Sequence, residues 1–119
     1  MKKKPICKIK HDGTKEWSLN GKLHREDGPA MEWANGTKSW WLNDKLHRES
    51  GPAIERVDGY KAWFLNGERH REDGPAIVGA DDGYEVWYLN DKKYSEPDFY
   101  RKLYKLGKIT KEELFIKLI

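Results

Sequence analysis

The stretch AIERVDGYKAWFLNGERH, residues 53–70, contains two turn signals within one short segment. Asp58-Gly59 lies between two β-prone runs, and Asn66-Gly67 follows the second run. Both dipeptides favour positive φ angles and are typical of the tight primed turns that join antiparallel strands. The stretch therefore predicts a strand, a turn, a second strand, another turn and a short extended segment.

The same arrangement recurs along the chain at a nearly constant interval. The interval is 23, 23 and 24 residues between Trp17, Trp40, Trp63 and Trp87. The first turn pair of each unit keeps this spacing, at Asp12-Gly13, Asn35-Gly36, Asp58-Gly59 and Asp82-Gly83. A repeat of this length indicates units that bury their apolar side only by stacking on neighbours. Residues 1–94 are therefore predicted to form a repeat region, with units near 5–27, 28–50, 51–73 and 74–94.

A longer motif links the units. It reads LNGKLHREDGPAMEW at 19–33, LNDKLHRESGPAIER at 42–56 and LNGERHREDGPAIVG at 65–79. Proline after glycine cannot donate to a strand ladder, so each Gly-Pro marks the point where one hairpin ends and the next begins. The expected fold is mainly β, an elongated antiparallel hairpin solenoid or meander of about four units.

The alternation within the strands sorts side chains onto two faces. One face carries a Trp and a Leu from every unit, which we call the Trp–Leu face: Trp17/Leu19, Trp40/Leu42, Trp63/Leu65 and Trp87/Leu89. We expect it to be the structural spine. The other face carries a second row made of Ser18, Trp41, Phe64 and Tyr88. Two interpretations of the second row stay open, since either the C-terminal segment covers it or it is an exposed surface for a partner.

The repeat pattern ends after Tyr94, and residues 95–119 are predicted to form a helical cap. Ser95 or Asp98 can cap a helix with Pro97 near its first turn, and Gly107 ends that helix. Thr110 begins the stretch TKEELFIKLI, in which Glu113 completes a capping box. Two short amphipathic helices would most simply cover the open edge of the last hairpin. An alternative stays open, in which the apolar end ELFIKLI docks into another subunit or into the groove of a target.

Composition sets limits on the class of protein. The 119 residues are 37% hydrophobic and 36% charged, which predicts a thin core, and the single cysteine Cys7 permits no intramolecular disulfide. No apolar run approaches the roughly 20 residues that span a bilayer. We therefore expect a soluble protein of intracellular type, located in the cytoplasm, which would be the host cytoplasm for a viral protein.

The net charge of +3 combines basic ends with an acidic middle. Residues 1–10 carry five lysines and no acid, whereas residues 11–98 carry 12 basic against 18 acidic residues. A nucleic-acid-binding protein would normally place positive charge on its main surface. The pattern therefore argues against nucleic acid as the partner and favours a basic protein surface.

The motif W-x-L-N-G-K-L-H-x-x-x-G at this interval resembles the MORN repeat family, and the resemblance covers residues 5–94. R-E-D-G-P-A replaces the short Gly-x-Gly ending usual in that family, and its opening aromatic-Gly pair is absent. The longer connection is similar to a variant associated with bacteriophage, large-virus and some bacterial proteins. The resemblance implies an interaction or scaffold module, sometimes one that contacts phospholipid, without shared catalytic residues.

The repeated histidines and glutamates do not predict an active site. A catalytic reading would use His24, His47 and His70 as bases, but active sites are normally single and concave, and these three copies lie a repeat apart. A metal shared by the three imidazoles would need them closer than neighbouring units allow. We therefore expect no enzyme activity, no cofactor and no metal. Each histidine is expected to stack on the next unit, and each following arginine to pair with a nearby acid.

The predicted function is non-enzymatic protein binding. The exposed acids Glu26, Glu49 and Glu72 would meet a basic partner, with Trp41, Phe64 and Tyr88 as a second candidate contact row. Together with the resemblance, this predicts a phage-encoded inhibitor that blocks a basic surface of a host defence enzyme, such as a nucleic-acid-processing enzyme. Two alternatives stay open: a peripheral phospholipid-binding protein that uses its basic termini, and a self-assembling scaffold or homodimer.

Overall fold

The computed structural model describes residues 3–119 and is mainly β, with two α-helices at its C-terminal end. The helices are α1 (Glu96–Lys105) and α2 (Lys111–Leu118). The strands of the described residues are β1 (Ile6–Ile9), β2 (Lys15–Leu19), β3 (Lys22–Leu23), β4 (Met31–Glu32), β5 (Lys38–Ser39), β6 (Trp41–Leu42), β7 (Lys45–Leu46), β8 (Ile54–Glu55), β9 (Lys61–Ala62), β10 (Phe64–Leu65), β11 (Glu68–Arg69), β12 (Ile77–Val78), β13 (Glu85–Leu89) and β14 (Lys92–Tyr94).

Most strands belong to one open antiparallel sheet. Its order is β1-β2-β4-β5-β8-β9-β12-β13-β14, with β3 paired to β2 beside this path. The pairs β6–β7 and β10–β11 form separate two-stranded sheets. A single continuous meander is therefore wrong in detail, because two of the second hairpins leave the main sheet.

The chain leaves the main sheet at the repeated tryptophans, where the strands before and after the tryptophan pair with different partners. Trp40, between β5 and β6, donates its N–H to the Ala53 carbonyl at 2.8 Å, and its carbonyl accepts from the His47 N–H at 3.0 Å. Trp63 repeats this with Ala76 at 2.7 Å and His70 at 3.1 Å. The strand before each of these tryptophans pairs with the first strand of its own unit and with the first strand of the next, as β5 does with β4 and β8. The strand after it pairs only with the other strand of its hairpin, as β6 does with β7. The alanines that follow each Gly-Pro are completely buried, which permits this close approach of backbones.

The two kinds of hairpin use different turns. In the second turn of each unit both central residues have positive φ, for example 50° at Asn66 and 82° at Gly67, as a primed turn requires. In the first turn only the glycine does, with φ of 98° at Gly59, and the Asp58 side chain accepts from the Tyr60 N–H at 3.0 Å. The prediction of primed turns at both dipeptides was therefore wrong for the Asp58-Gly59 class, which bonds across a longer loop from Arg56 to Tyr60.

The helices begin where the sequence predicts. Ser95 caps α1 by accepting from the Asp98 N–H at 3.3 Å, and Thr110 caps α2 in a reciprocal capping box with Glu113. Gly107 has a φ of 73° and follows the end of α1. These are local hydrogen bonds, and the predicted cap residues are confirmed.

The apolar core lies at this C-terminal end. Phe99 and Leu103 of α1 are 0% and 1% exposed and pack against Trp87 and Leu89 of β13. Helix α1 therefore covers the end of the Trp–Leu face. Of the two interpretations of the second row, coverage by the C-terminal segment is wrong for α1, because the apolar side of this helix meets Trp87 and Leu89, which lie on the opposite side of β13 from Tyr88.

Candidate interaction surface

The histidines that begin each connection bond to the next unit. We define the connections as residues 24–30, 47–53 and 70–76. The Nδ1 atom of His24 accepts the Asn43 N–H at 3.1 Å, and His47 accepts the Asn66 N–H at 2.9 Å. His70 repeats the contact with Asn90 at 2.9 Å. Each histidine thus stabilises the second turn of the unit that follows it.

This bonding limits what the imidazoles can do chemically. A ring nitrogen that accepts a hydrogen bond carries no proton, so the neutral ring holds its proton on Nε2. That atom faces a glutamate two residues on, at 3.1 Å for His70–Glu72 and 3.7 Å for His24–Glu26. His47 and Glu49 repeat the 3.7 Å distance. With Nδ1 occupied and Nε2 protonated, the rings offer no lone pair to a substrate proton or a metal.

The arginine after each histidine lies on the tryptophan of its own unit. The guanidinium carbon lies 3.9 Å from the ring centroid for Arg25 on Trp17 and 3.7 Å for Arg48 on Trp40. Arg71 and Trp63 repeat the geometry at 3.8 Å. The Nη1 atoms also donate to the carbonyls of Pro29, Pro52 and Pro75, at 3.1, 3.0 and 3.0 Å. A planar cation that stacks and donates at once fastens each connection onto its Trp–Leu face.

Every arginine has a carboxylate partner, although the source differs between units. Arg71 Nε donates to Asp73 at 2.8 Å. The equivalent position of the second unit is Ser50, and there Arg48 pairs with Glu55 at 3.0 Å. The first unit has both kinds of acid, since Arg25 contacts Asp27 at 3.0 Å and Glu32 at 3.7 Å. All three units therefore share one arrangement, in which a carboxylate neutralises the charge of an arginine that lies against an indole ring.

The acids of the connections form an exposed row along one side of the molecule, which we call the acidic row. The side chains of Asp27, Glu49 and Asp73 are 88%, 86% and 85% exposed. Those of Glu26 and Glu72 are 58% and 44% exposed. All five remain accessible to a partner.

Grooves run between successive connections, with the Trp–Leu face as their floor. Groove 2 has a volume of about 690 Å³ and a floor of Trp40 and Leu42, with 25–29 on one side and 47–50 on the other. Groove 3 has a volume of about 400 Å³ and a floor of Trp63 and Leu65. Groove 1, of about 420 Å³, lies over Trp17 and Leu19 beside Lys3, Lys4 and Pro5.

The equivalent position in the fourth unit is filled by α1. Phe99 lies 4.9 Å from the Trp87 ring centroid, and Tyr100 lies edge-on to it at 5.7 Å. Lys108, in the loop after α1, reaches the connection of the third unit, with its Nζ 3.8 Å from Glu72. The Trp–Leu face can therefore accept an apolar helix whose nearby lysine meets the acidic row.

The second row is only partly exposed and is tied down by polar contacts. Trp41 donates its indole N–H to the Ser39 hydroxyl at 2.7 Å, and the Tyr88 hydroxyl accepts from Arg69 at 3.1 Å. Ser18 and Phe64 are also half-buried. Burial raises the pKa of the nearby Tyr60 phenol above its usual range. The row offers a partner less accessible surface than the acidic row.

The sequence contained a signal for the arginine stacking that was not recognised. Trp and Arg are separated by eight residues in three units, at 17/25, 40/48 and 63/71, and the arginine position of the fourth unit is Ser95. A second missed contact joins the turns, since Asp44 accepts the Leu23 N–H at 2.7 Å and Asp91 accepts from Arg69 Nε at 2.6 Å.

Within residues 3–119, no group of three or more histidine, cysteine or acidic side chains is arranged to hold a metal ion. In the same part of the chain, neither helix has the length and apolar composition needed to cross a membrane. No protein-family model matches the chain, and searches of curated proteins and of solved structures found no similar protein.

Proposed function

We propose that the protein is a non-enzymatic binding module that presents its acidic row to a basic surface of another protein. The observation that carries the proposal is the repeated exposure of acids at the same place in successive connections, where the side chains of Glu26, Glu49 and Glu72 are 58%, 86% and 44% exposed. Rows of like charge steer oppositely charged partners and select among them. The histidines and arginines of the connections hold the row in place.

We further propose that the units are MORN-like and stack as a repeat solenoid, because the same histidine, arginine and turn contacts recur at the repeat interval. In this proposal the protein is cytoplasmic. Its partner is a host defence enzyme whose basic surface would otherwise contact nucleic acid, and the acidic row takes the place of phosphate charges. This proposal draws on the resemblance of the connections to the virus-associated variant.

The test compares capture of proteins from the native host lysate by two matched charge variants. The variant Glu26→Lys/Glu49→Lys reverses charge in the acidic row, and Glu68→Lys/Asp81→Lys makes the same change elsewhere on the exposed surface. Glu72 is left intact because it contacts Lys108. Circular dichroism first checks that both variants fold.

We expect wild type and the control variant to capture the same protein, the row variant to lose it, and capture to weaken steeply between about 0.05 and 0.5 M salt as screening increases. Capture by the row variant with unchanged salt dependence would contradict the proposal, as would a wild type that captures no protein beyond an empty resin.

A further inference from the structure

Helix α2 exposes an apolar side that nothing in residues 3–119 covers. Phe115 and Ile119 are 66% and 84% exposed, Ile116 is 65% exposed, and α2 contains no buried residue. The helix packs beside α1, where Lys117 Nζ lies 5.4 Å from the Tyr100 ring. A folded, capped helix with this much exposed apolar surface is typical of a docking element.

Helix α1 indicates what kind of surface receives such an element. It covers the Trp–Leu face of the fourth unit with an aromatic residue and an aliphatic residue four positions later, Phe99 and Leu103, which become 0% and 1% exposed. Its following lysine, Lys108, lies 3.8 Å from Glu72 of the acidic row. Residues i and i+4 share one side of a helix, so both enter the groove together.

Helix α2 presents the same pattern. Phe115 and the C-cap residue Ile119 stand in the same order at the same spacing as Phe99 and Leu103. Helix α2 carries Lys111 and Lys117, and its two acids, Glu112 and Glu113, lie in its first turn.

Groove 2 offers a comparable floor, Trp40 and Leu42, in the larger volume of about 690 Å³. Because Arg48 lies 3.7 Å from the Trp40 ring centroid, a docking helix would enter beside the guanidinium and not in its place. Its sides carry three acids and two arginines, which are Glu26, Asp27, Glu49, Arg25 and Arg48. Arg25 pairs with Asp27 and Arg48 pairs with Glu55, so the lysines of α2 would meet a rim on which acids outnumber arginines.

We propose that α2 of one molecule docks into groove 2 of a second copy of this chain, with Phe115 and Ile119 against Trp40 and Leu42. Because α2 is fastened beside α1 over the fourth unit, it reaches the second unit only in another molecule. Mutual exchange between two molecules closes a dimer, whereas one-way docking produces chains of molecules. This inference does not depend on the proposed function, since it concerns a surface of the chain and its own helix.

The first experiment is sedimentation velocity of the full chain from about 5 to 500 µM. We expect the wild type to associate and Phe115→Ser/Ile119→Ser to weaken association about tenfold or more, from the loss of two apolar contacts. The matched control is Ile6→Ser/Ile9→Ser, which removes the apolar side chains of two β1 residues that are 74% and 67% exposed. The control should associate like the wild type.

A second experiment locates the acceptor. Isotope-labelled Phe115→Ser/Ile119→Ser cannot donate its helix but keeps its grooves. Adding unlabelled wild type should shift the indole N–H resonance of Trp40 and leave that of Trp87, already covered by α1, in place. Adding the unlabelled helix variant should shift neither, and Glu49→Lys in the labelled chain should reduce the response.

Several outcomes would overturn the inference. These are a wild type that stays monomeric throughout, equal association of the helix variant, loss of association in the β1 control alone, and shifts at Trp87 without shifts at Trp40. A monomeric wild type that floats with anionic vesicles, while Phe115→Ser/Ile119→Ser does not, would assign α2 to a lipid surface instead.

Discussion

The first three tryptophans of the Trp–Leu face and the fourth are covered in different ways. In the first three units an arginine lies on the ring, as Arg71 does on Trp63 at 3.8 Å, and a groove stays open beside it. In the fourth unit Phe99 and Tyr100 take that place. One residue position therefore separates units with an open groove from the unit with a closed core, and it is occupied by Arg25, Arg48, Arg71 or Ser95.

The two kinds of cover differ in energy and in accessibility. A stacked arginine contributes about 0.5–1 kcal/mol at an exposed site, and its hydrogen bonds add about 1 kcal/mol each. A fully buried aromatic side chain contributes more, about 1.5–3 kcal/mol relative to an exposed one. Stability is therefore concentrated in the fourth unit, while the first three keep surface that a partner can reach.

The largest effect is expected for Phe99→Ala, which empties the core of the fourth unit. Because Phe99 is 0% exposed, we expect unfolding free energy to fall by about 3–5 kcal/mol, measured by urea denaturation. The matched control Phe115→Ala removes the same ring where it is 66% exposed and should change little. Equal losses for the two variants would mean that α1 is not a core element.

Trp63→Ala tests the other side of the comparison. The indole is half-buried beneath Arg71, so its removal should cost about 2–3 kcal/mol, less than the loss for Phe99→Ala. The same denaturation experiment measures it. A larger loss than that of Phe99→Ala would reverse the proposed ranking of the two ends of the molecule.

Arg71→Gln removes the cation from Trp63 and leaves the Pro75 carbonyl without its donor. We expect a loss of about 1–2 kcal/mol from the stacking and the hydrogen bond together. Arg71→Lys should be little more stable than Arg71→Gln, because an ammonium cannot stack on the indole and donate in two directions as a guanidinium does. Full recovery by lysine would show that charge alone is required.

The glycines of the connections give a finer test of the arginine cover. A methyl group at Gly74 would lie 2.8 Å from the Arg71 Cζ, whereas one at Gly51 would lie 3.3 Å from the Arg48 Cζ. Gly74→Ala must therefore displace its arginine and should cost about 0.5–1 kcal/mol more than Gly51→Ala. Paired melting curves check this difference. Equal melting temperatures would mean that the arginine moves aside without loss.

The smallest effect concerns Asp91, which joins the fourth unit to the third. The hydrogen bond from Arg69 holds the pKa of the Asp91 carboxyl below its ordinary value of 3.8. A carboxyl whose pKa is lowered in the folded state adds stability at pH values above its ordinary pKa, and this contribution is lost as the pH falls through the lowered pKa. Asp91→Asn should therefore be less stable than wild type at pH 7, and the difference in urea midpoint should shrink below about pH 4. A constant difference down to pH 2 would contradict this assignment.

Local chemistry was predictable from the sequence, whereas the choice of packing partner was not. Ser95 and Thr110 were identified as caps because a cap depends on residues within one turn of the helix. The predicted class of the Asp58-Gly59 turn was wrong, because the length of the loop decides the turn class. The loop is closed by the hydrogen bond between the Arg56 N–H and the Tyr60 carbonyl, which only the structure shows. The face that α1 covers could not be predicted, because it depends on contacts with β13, which lies away from the helix caps.

The candidate surface follows the same division. The acids Glu26 and Glu49 could be located on the surface because they follow a turn signal in a polar segment. For the stacking of Arg48 on Trp40 the sequence offers only the recurring eight-residue spacing. A hairpin turn at Asn43-Asp44 lies between the two residues, and spacing alone does not give the distance after such a turn. The grooves depend on this stacking, so they too appear only in three dimensions.

The position of Ser95 has a consequence for how the chain could change its length. Each inner unit offers its neighbours the same pair of contacts, a histidine to a following turn and a tryptophan to a following alanine, so a duplicated inner unit would find partners already suited to it. The last unit is different, because Ser95 both removes the arginine and begins the helix that seals the end. A duplicated inner unit would therefore extend the sheet between units that already make these contacts, and Ser95 would still begin the helix that follows the last strand.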